Sequence, residues 1–193
     1  MEEIGEFFKS PESVIKRTKK EKSMSKTVAY QFLVSALFAI STYIAAYKMQ
    51  IPSKFVSTQA LAQMIISPAL LAVVCFFTGF LGFFFAGFVT EIVMNTLGGK
   101  GRYFEGLTTG VYSMVPPSFG TLAAVLLATI PGGAILGMIV ATITIALGYA
   151  IFYRALKELF NTDMVTALIG TSVITGSLIL GIYSGIFLGA GMA

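Results

Sequence analysis

The sequence predicts an all-α integral membrane protein, in which five transmembrane helices form a bundle and a cytoplasmic amphipathic segment precedes them. Of the 193 residues, 56% are hydrophobic and only 11% are charged, whereas an ordinary soluble domain is about one quarter charged. The mean hydropathy is +0.86. Apolar residues also run for about 20 positions several times, which is enough to cross a hydrocarbon layer about 30 Å thick.

The composition also limits the chemistry. The chain has no histidine, so it lacks the commonest metal ligand and the usual general base near neutral pH. Its single cysteine, Cys75, lies in an apolar run and is expected to be a small buried hydrophobe. No two carboxylates have a spacing that suggests an acid and a base. The sequence therefore predicts a protein that is not an enzyme and that binds neither cofactor nor metal.

Residues 1–26 are predicted to form a basic amphipathic arm that lies on the inner leaflet. Ser10-Pro11-Glu12 restarts the helix, because it supplies a cap, a fixed φ and a first-turn acid. A topology anchor is the preferred interpretation of the arm, ahead of a specific lipid or protein site. Its apolar positions are Ile4, Phe7, Phe8, Val14 and Ile15. The residues expected to attract anionic headgroups, by about 1 kcal/mol each, are Lys16, Arg17, Lys19, Lys20, Lys22 and Lys26.

Residues 27–193 are predicted to form the transmembrane domain. Ser67 and Pro68 suit the N-cap and the first position of the second span. Pro131-Gly132-Gly133 is a tight turn, so the third and fourth spans are expected to lie side by side as an antiparallel pair. The predicted spans are residues 27–47, 68–94, 107–130, 134–153 and 164–188.

The distribution of Lys and Arg predicts the orientation, because basic residues near span ends stay in the cytoplasm. Eleven basic residues fall in the N-terminal segment and in the loops after the second and fourth spans, and only Lys48 and Lys54 fall on the other side. The N-terminus is therefore expected inside and the C-terminus outside. The net charge of +4 then belongs to a membrane face suited to anionic lipids, and a nucleic-acid partner is not expected.

Small residues recur at helical spacing in three spans, which lets helix backbones approach closely in a membrane. The last span has Gly181, Gly185 and Gly189, and we interpret this face as a close helix contact. A contact within the bundle is preferred, and a homo-oligomer remains open. The other two stripes are Gly120, Ala124 and Ala128, and Gly133, Gly137 and Ala141.

Two prolines fall near the middle of the third span. Pro116 and Pro117 lack N–H donors, so they are expected to kink the helix and to leave carbonyl groups unpaired. Ser113, Ser118 and Thr121 are close enough in sequence to bond the freed groups. Broken helices also build transporter sites, but a structural kink is the preferred interpretation.

Glu91 is the one acidic residue attached to a predicted span, which makes it a candidate intramembrane polar site for a proton or a cation. At a rise of about 1.5 Å per residue from Pro68, however, it lies beyond about 30 Å of helix. An interfacial ion pair with Lys100 or Arg102 is therefore expected.

Four stretches resemble the Yip-one family, which is named for proteins that interact with Ypt and Rab GTPases. Residues 97–104 and 111–116 are similar to the family's signature loop and third span, 8–17 to its start, and 153–160 to its loop between the fourth and fifth spans. The resemblance implies five spans, and for eukaryotic members a role in early secretory traffic. The short cytoplasmic part is similar to prokaryotic members, which implies a prokaryotic cell membrane. The motif residues are Gly98, Gly99, Lys100, Gly101, Tyr112 and Pro116.

Two functions of different classes follow. The first is a non-catalytic membrane scaffold or adaptor, in membrane organisation or trafficking, that engages a protein partner or the bilayer through its cytoplasmic face. The alternative is a small transporter or channel that uses the Pro116–Pro117 break and Glu91, although the spans hold little charge and no recognisable inverted repeat. An intramembrane enzyme is remote, because there is no histidine and no aspartate pair within the spans.

Overall fold

The computed structural model describes residues 2–49 and 67–191, and gives side-chain surroundings for 4–48 and 67–177. Every regular element in these ranges is an α-helix, so the prediction of an all-α bundle is confirmed. The helices are α1 (Glu2–Lys9), α2 (Pro11–Glu21), α3 (Met24–Met49), α4 (Pro68–Thr96), α5 (Tyr103–Ser113), α6 (Val115–Ala128), α7 (Gly133–Leu159) and α8 (Met164–Gly191).

Each predicted span falls on helix. Four stretches among the described residues are long and apolar enough to cross a membrane: Met24–Lys48, Pro68–Thr96, Tyr103–Ala128 and Gly133–Leu159. In α8, the apolar stretch Met164–Ser177 is shorter, and the helix itself continues to Gly191. The chain is therefore a helical membrane bundle with two short helices in front of it.

The bundle is built from antiparallel neighbours. Helix α3 packs along α4, and α6 packs along α7, while α5 lies between α4 and α7. Helix α8 contacts α7 and α4, and the two N-terminal helices lie across the bundle, with α1 on α6 and α2 on α7. Helices α5 and α6 thus occupy the centre of the packing.

Several local predictions are confirmed. The hydroxyl of Ser67 accepts a hydrogen bond from the Leu70 N–H at 3.1 Å, and Pro68 occupies the first turn of α4. Helix α2 restarts at Pro11, although Ser10 makes no side-chain cap. The turn before α7 uses Gly132 at φ +76, a value that glycine adopts without strain.

The stripes of small residues on α6 and α7 meet each other. A Cβ atom on Gly137 would lie 2.6 Å from the Ala124 carbonyl oxygen, and one on Gly120 would clash with the Thr144 side chain. These contacts confirm that the third and fourth spans pack side by side. The surroundings of Gly181, Gly185 and Gly189 lie outside the described residues, so that predicted seam stays a prediction.

The third span is broken, not merely kinked. Helix α5 ends at Ser113, and α6 starts at Val115 with both prolines in its first turn. The expected role of the hydroxyl groups is wrong, because Ser113 bonds the Gly110 carbonyl and Ser118 bonds the Val115 carbonyl, each at 2.8 Å. The carbonyls that Pro116 and Pro117 would leave without an N–H donor in a continuous helix are those of Tyr112 and Ser113, four residues earlier. The Ser113 carbonyl faces Gly148 of α7, where a Cβ would lie 2.6 Å away.

Two helices extend beyond the predicted spans. Helix α7 continues to Leu159 and α5 begins at Tyr103, so Glu158 and Glu105, which lie just outside the predicted spans, are helical residues. The last turns of α7 persist beyond the apolar run because Ala155, Leu156 and Leu159 are buried. Packing against neighbouring elements thus supplies a core that hydropathy does not reveal.

Candidate functional site

Four segments form one surface at the end of the bundle where α4 and α7 finish and α3, α5 and α8 begin. We call this surface the platform, and it comprises α1, α2, the loop of residues 97–102 and the turn of residues 160–163. Most of the family-motif residues predicted from the sequence lie in it or directly beneath it.

The glycine-rich loop is folded onto the turn between α7 and α8. The Lys100 N–H donates to the Phe160 carbonyl at 2.9 Å, and the Gly99 N–H donates to the Met94 carbonyl at 2.8 Å. Gly98 has φ +88, which favours glycine. A Cβ on Gly101 would clash with the Phe160 ring, which is fully buried. The glycines therefore let two connections pack together.

The turn itself is held by local hydrogen bonds. The Thr162 N–H donates to the Lys157 carbonyl at 3.1 Å. Asp163 caps α8, because its carboxylate accepts a hydrogen bond from the Thr166 N–H at 2.6 Å. This bond holds the pKa of Asp163 below its usual value. These hydrogen bonds fix the turn, and the glycine-rich loop of residues 97–102 packs against it.

An aromatic cluster binds α1 to the bundle. The ring of Phe7 meets Tyr30 of α3 and Tyr112 of α5 edge to face, with centroids 5.4 and 5.1 Å apart, and the two tyrosines are 5.3 Å apart. Phe7 is fully buried. Edge-to-face pairs of this kind contribute about 0.5 to 1.5 kcal/mol beyond area burial. The arm thus packs on Tyr112, which is one of the family-motif residues.

Helix α2 joins the two hydrophobic cores of the bundle. Ile15 packs in a core with Phe160 and the end of α7, while Val14 packs with Phe7 in a core around α5. Thr18 is buried and its hydroxyl lies 3.4 Å from the Tyr112 hydroxyl. The expectation that the apolar stripe lies on the leaflet is therefore corrected, since most of that stripe is buried in protein.

The basic residues of the arm are largely paired inside the protein. Lys19 makes no ion pair among the described residues but donates a hydrogen bond to the Glu158 backbone carbonyl. For Lys20 the described residues provide neither an ion pair nor a side-chain hydrogen bond. The ion pairs are Lys16–Glu12 at 2.5 Å, Arg17–Glu6 at 2.9 Å, Lys22–Glu105 at 3.2 Å, Lys26–Glu21 at 2.7 Å and Arg154–Glu12 at 3.6 Å.

Two of these pairs connect α2 and the residue that follows it to α7 and α5. Glu12 contacts Arg154 of α7, and the hydrogen bond from Lys16 is the main reason why the pKa of Glu12 lies below its ordinary value. Glu105 is 7% exposed; it accepts the Arg102 N–H at 3.0 Å and meets Lys22. Its position three residues after Arg102 is a capping signal, but its contact with the arm is not local and was not predicted.

Glu91 and the proline break do not form one site. Glu91 is half-buried, and within the described ranges it makes no ion pair with Lys100 or Arg102, contrary to expectation. The Glu91 backbone lies beside Gly106 of α5. Gly106 precedes Pro116 by ten residues, which is about 15 Å at a rise of about 1.5 Å per residue. The geometric basis of the transporter alternative is therefore weakened.

The fold and the platform define a multi-pass integral membrane protein with docked N-terminal helices. The family model of the Yip1 domain matches residues 5–192, nearly the whole chain, and the protein belongs to this non-enzymatic family of membrane proteins. Neither a curated protein nor a solved structure matches the chain.

Proposed function

We propose that the protein is a non-catalytic membrane scaffold, acting in membrane organisation or trafficking, whose preformed platform faces the cytoplasm. The observation that carries the proposal is the docking of α1 and α2, because Phe7, Val14 and Ile15 are at most 3% exposed. A buried apolar face keeps the arm in one position without a partner. The platform therefore presents a constant surface.

The acidic groups of the platform support a structural role. Glu12 and Glu21 of the platform, and Glu105 of α5 next to it, each pair with a lysine. The hydrogen bonds from Lys16 and Lys26 lower the pKa of Glu12 and of Glu21, so these two carboxylates are poor proton acceptors near neutral pH. These residues stabilise the platform and need not take part in any reaction.

We propose anionic lipid headgroups as the partner of the outer surface of the platform. Its cations outside the internal ion pairs of the described residues attract such headgroups, and they differ from most of the set that the sequence suggests. These exposed cations are Lys9, Lys20, Lys100 and Arg102 of the platform, together with Lys157 in the last turn of α7.

Thermal unfolding in mixed micelles tests this assignment. Phosphatidylglycerol, compared with phosphatidylcholine, should raise the melting temperature of the protein, and added salt should reduce the shift. The triple variant Lys20→Gln, Lys100→Gln and Lys157→Gln should lose most of the shift. An undiminished shift in this variant would exclude these cations as the lipid site.

The matched control removes internal ion pairs without changing the net charge. It combines Glu12→Gln with Lys16→Gln and Glu21→Gln with Lys26→Gln, and it should keep the lipid-induced shift. Loss of the shift in this control would instead indicate that lipid binds the paired cations of the arm. Crosslinking in native membranes would show whether a protein occupies the platform in place of lipid.

We further propose that the N-terminus is inside and the C-terminus outside, in a prokaryotic cell membrane. The support is the asymmetry of basic residues. In a Cys75→Ala background, Met192→Cys should react with an impermeant thiol reagent from outside intact cells, and the exposed Lys20→Cys only after the membrane is opened. The reverse pattern would invert the topology and remove the platform from the cytoplasm.

A further inference from the structure

Helix α3 carries polar residues on the face that it turns to the bundle interior. Thr27, Gln31 and Ser35 follow each other at intervals of four residues, and none is more than 1% exposed. Ser35 lies 11 residues after the start of α3 at Met24, or about 16 Å along the helix. It is therefore near the middle of a hydrocarbon layer about 30 Å thick.

The first two residues of this polar stripe have partners on neighbouring helices. The Thr27 hydroxyl lies 3.2 Å from the Thr108 hydroxyl, and the Gln31 amide nitrogen donates to the Phe80 carbonyl at 2.5 Å. A backbone carbonyl only accepts hydrogen bonds, so the Gln31 nitrogen must face Phe80. This orientation leaves the Gln31 amide oxygen, Oε1, pointing elsewhere.

Two polar atoms on successive turns of α3 lack a protein partner. Among the described residues, no group forms a hydrogen bond with Gln31 Oε1 or with Ser35 Oγ, and both atoms are buried. Other hydroxyls on α3 differ, since Ser41 donates to the Leu37 carbonyl at 2.7 Å and Thr42 to the Phe38 carbonyl at 2.9 Å. Buried polar groups in proteins are nearly always paired, so these two require a partner.

Helix α4 has no side chain opposite Ser35. Gly79 of α4 faces Ser35, and a Cβ on Gly79 would lie 3.6 Å from Ser35 Oγ. Side chains four residues apart on a helix have Cβ atoms about 5 to 6 Å apart. A water molecule that makes two hydrogen bonds of about 2.8 Å joins polar atoms about 4 to 5 Å apart.

We propose that one water molecule is bound between α3 and α4, bridging Gln31 Oε1 and Ser35 Oγ beside Gly79. The water donates one hydrogen to the amide oxygen, and its second bond is with the serine hydroxyl. Two to four polar partners are typical of buried waters, and these two atoms, with the nearby backbone, provide them. The contact between α3 and α4 is then hydrated inside the bilayer.

Water-edited solid-state NMR of the protein in lipid bilayers tests this site directly. Magnetisation from water should reach the Gln31 side chain and Ser35 Cβ rapidly, although both residues are buried. Ser41 is the matched reference, because it is equally buried but already paired. Transfer to Gln31 and Ser35 that is no faster than transfer to Ser41 would overturn the proposal.

Thermal unfolding of Ser35→Ala provides a second test that depends on the sign of the effect. If water bridges the two atoms, the alanine variant should melt at a lower temperature, because Gln31 Oε1 loses part of its hydration. If the hydroxyl is simply unpaired and dry, its removal should leave the melting temperature unchanged or raise it, and the proposal fails.

Gly79→Ala distinguishes loss of the water from loss of packing. The added methyl group would make only an ordinary contact with Ser35 at 3.6 Å, so the bundle should fold, but the methyl group would occupy the space of the water. We expect the rapid magnetisation transfer at Ser35 to disappear in this variant. Transfer that persists unchanged would place the water elsewhere and contradict the proposed site.

Discussion

Helix α4 and the broken pair α5–α6 show how differently two apolar spans are used. Helix α4 has the higher mean hydropathy, 2.4 against 1.5, yet none of its most apolar window is buried in the protein, while 44% of the α5–α6 window is buried. In a bilayer the most apolar side chains can face lipid, which is as apolar as they are. The strongest hydropathy signal therefore marks the periphery, not the core.

The central span owes its burial to residues that are small or hydroxylated. Thr108, Thr109, Ser113 and Ser118 are at most 2% exposed, whereas Phe85 of α4 is 66% exposed. Small residues let backbones approach. The hydroxyl groups of Thr109, Ser113 and Ser118 donate to carbonyls of their own helix, and Thr108 pairs with Thr27 of α3. Polar composition in this span thus indicates contact with protein.

The largest effect expected from this comparison is the difference between two leucine-to-alanine variants, one on each helix. Leu107→Ala on α5 removes a fully buried side chain from a packed core, and it should lower the free energy of unfolding by about 2 to 5 kcal/mol. Leu81→Ala on α4 should have little effect, since Leu81 is 61% exposed and lipid can fill the space. Thermal unfolding in one detergent compares the two, and equal losses would contradict the assigned faces.

A smaller effect is expected for glycines at and away from the crossing of these helices. A Cβ on Gly106 would clash with the Gly87 carbonyl oxygen, whereas one on Gly82 has no neighbour within 4 Å. Gly106→Ala should therefore cost about 1 to 3 kcal/mol through overpacking, and Gly82→Ala should be nearly neutral. The melting temperatures of the two variants check this. An unchanged melting temperature in Gly106→Ala would mean that α4 and α5 can separate easily.

Features that depend on neighbouring residues in the chain could be predicted from the sequence. The start of α4 at Pro68, the restart of α2 at Pro11 and the turn at Gly132 all follow from local capping and φ preferences. The contact of Gly137 with α6 also follows, because a small-residue stripe needs a close neighbour.

The position of the arm could not be predicted in this way. An apolar stripe such as Phe7, Val14 and Ile15 is compatible with lipid or with protein, and only the distant Tyr112 and the end of α7 decide between them. Charges have the same ambiguity: Lys22 is close to Glu105 in space but 83 residues away in sequence. Long-range pairing of this kind carries no local sequence signal.

The smallest expected effect concerns pH, and it separates the arm from the spans. The hydrogen bond from Lys16 and the charges of Lys16, Arg154 and Lys157 hold the pKa of Glu12 below its ordinary value of 4.5. This carboxylate therefore stabilises the docked arm fully above pH 4.5, and its contribution is lost as the pH falls through the lowered folded-state pKa. The packing between the spans does not involve Glu12, so protonation of this carboxylate should leave that packing unchanged.

Thiol labelling of the arm measures this loss in a Cys75→Ala background. Val14→Cys places a thiol at a position that is 3% exposed in the docked arm, and Ser25→Cys places one at an exposed position. Their ratio of labelling rates by a disulfide reagent cancels the pH dependence of the reagent itself. The ratio should rise below pH 4.5, and Glu12→Gln should raise it already at pH 7, because Lys16 and Arg154 then lose their charged partner. Glu21, whose pKa is lowered by its hydrogen bond with Lys26, would leave a residual slope in that variant. A ratio that responds neither to pH nor to Glu12→Gln would mean that burial of Phe7, Val14 and Ile15 alone holds the arm. The ion pairs would then add little to docking, and the docked arm would be as insensitive to pH as the contacts between the spans.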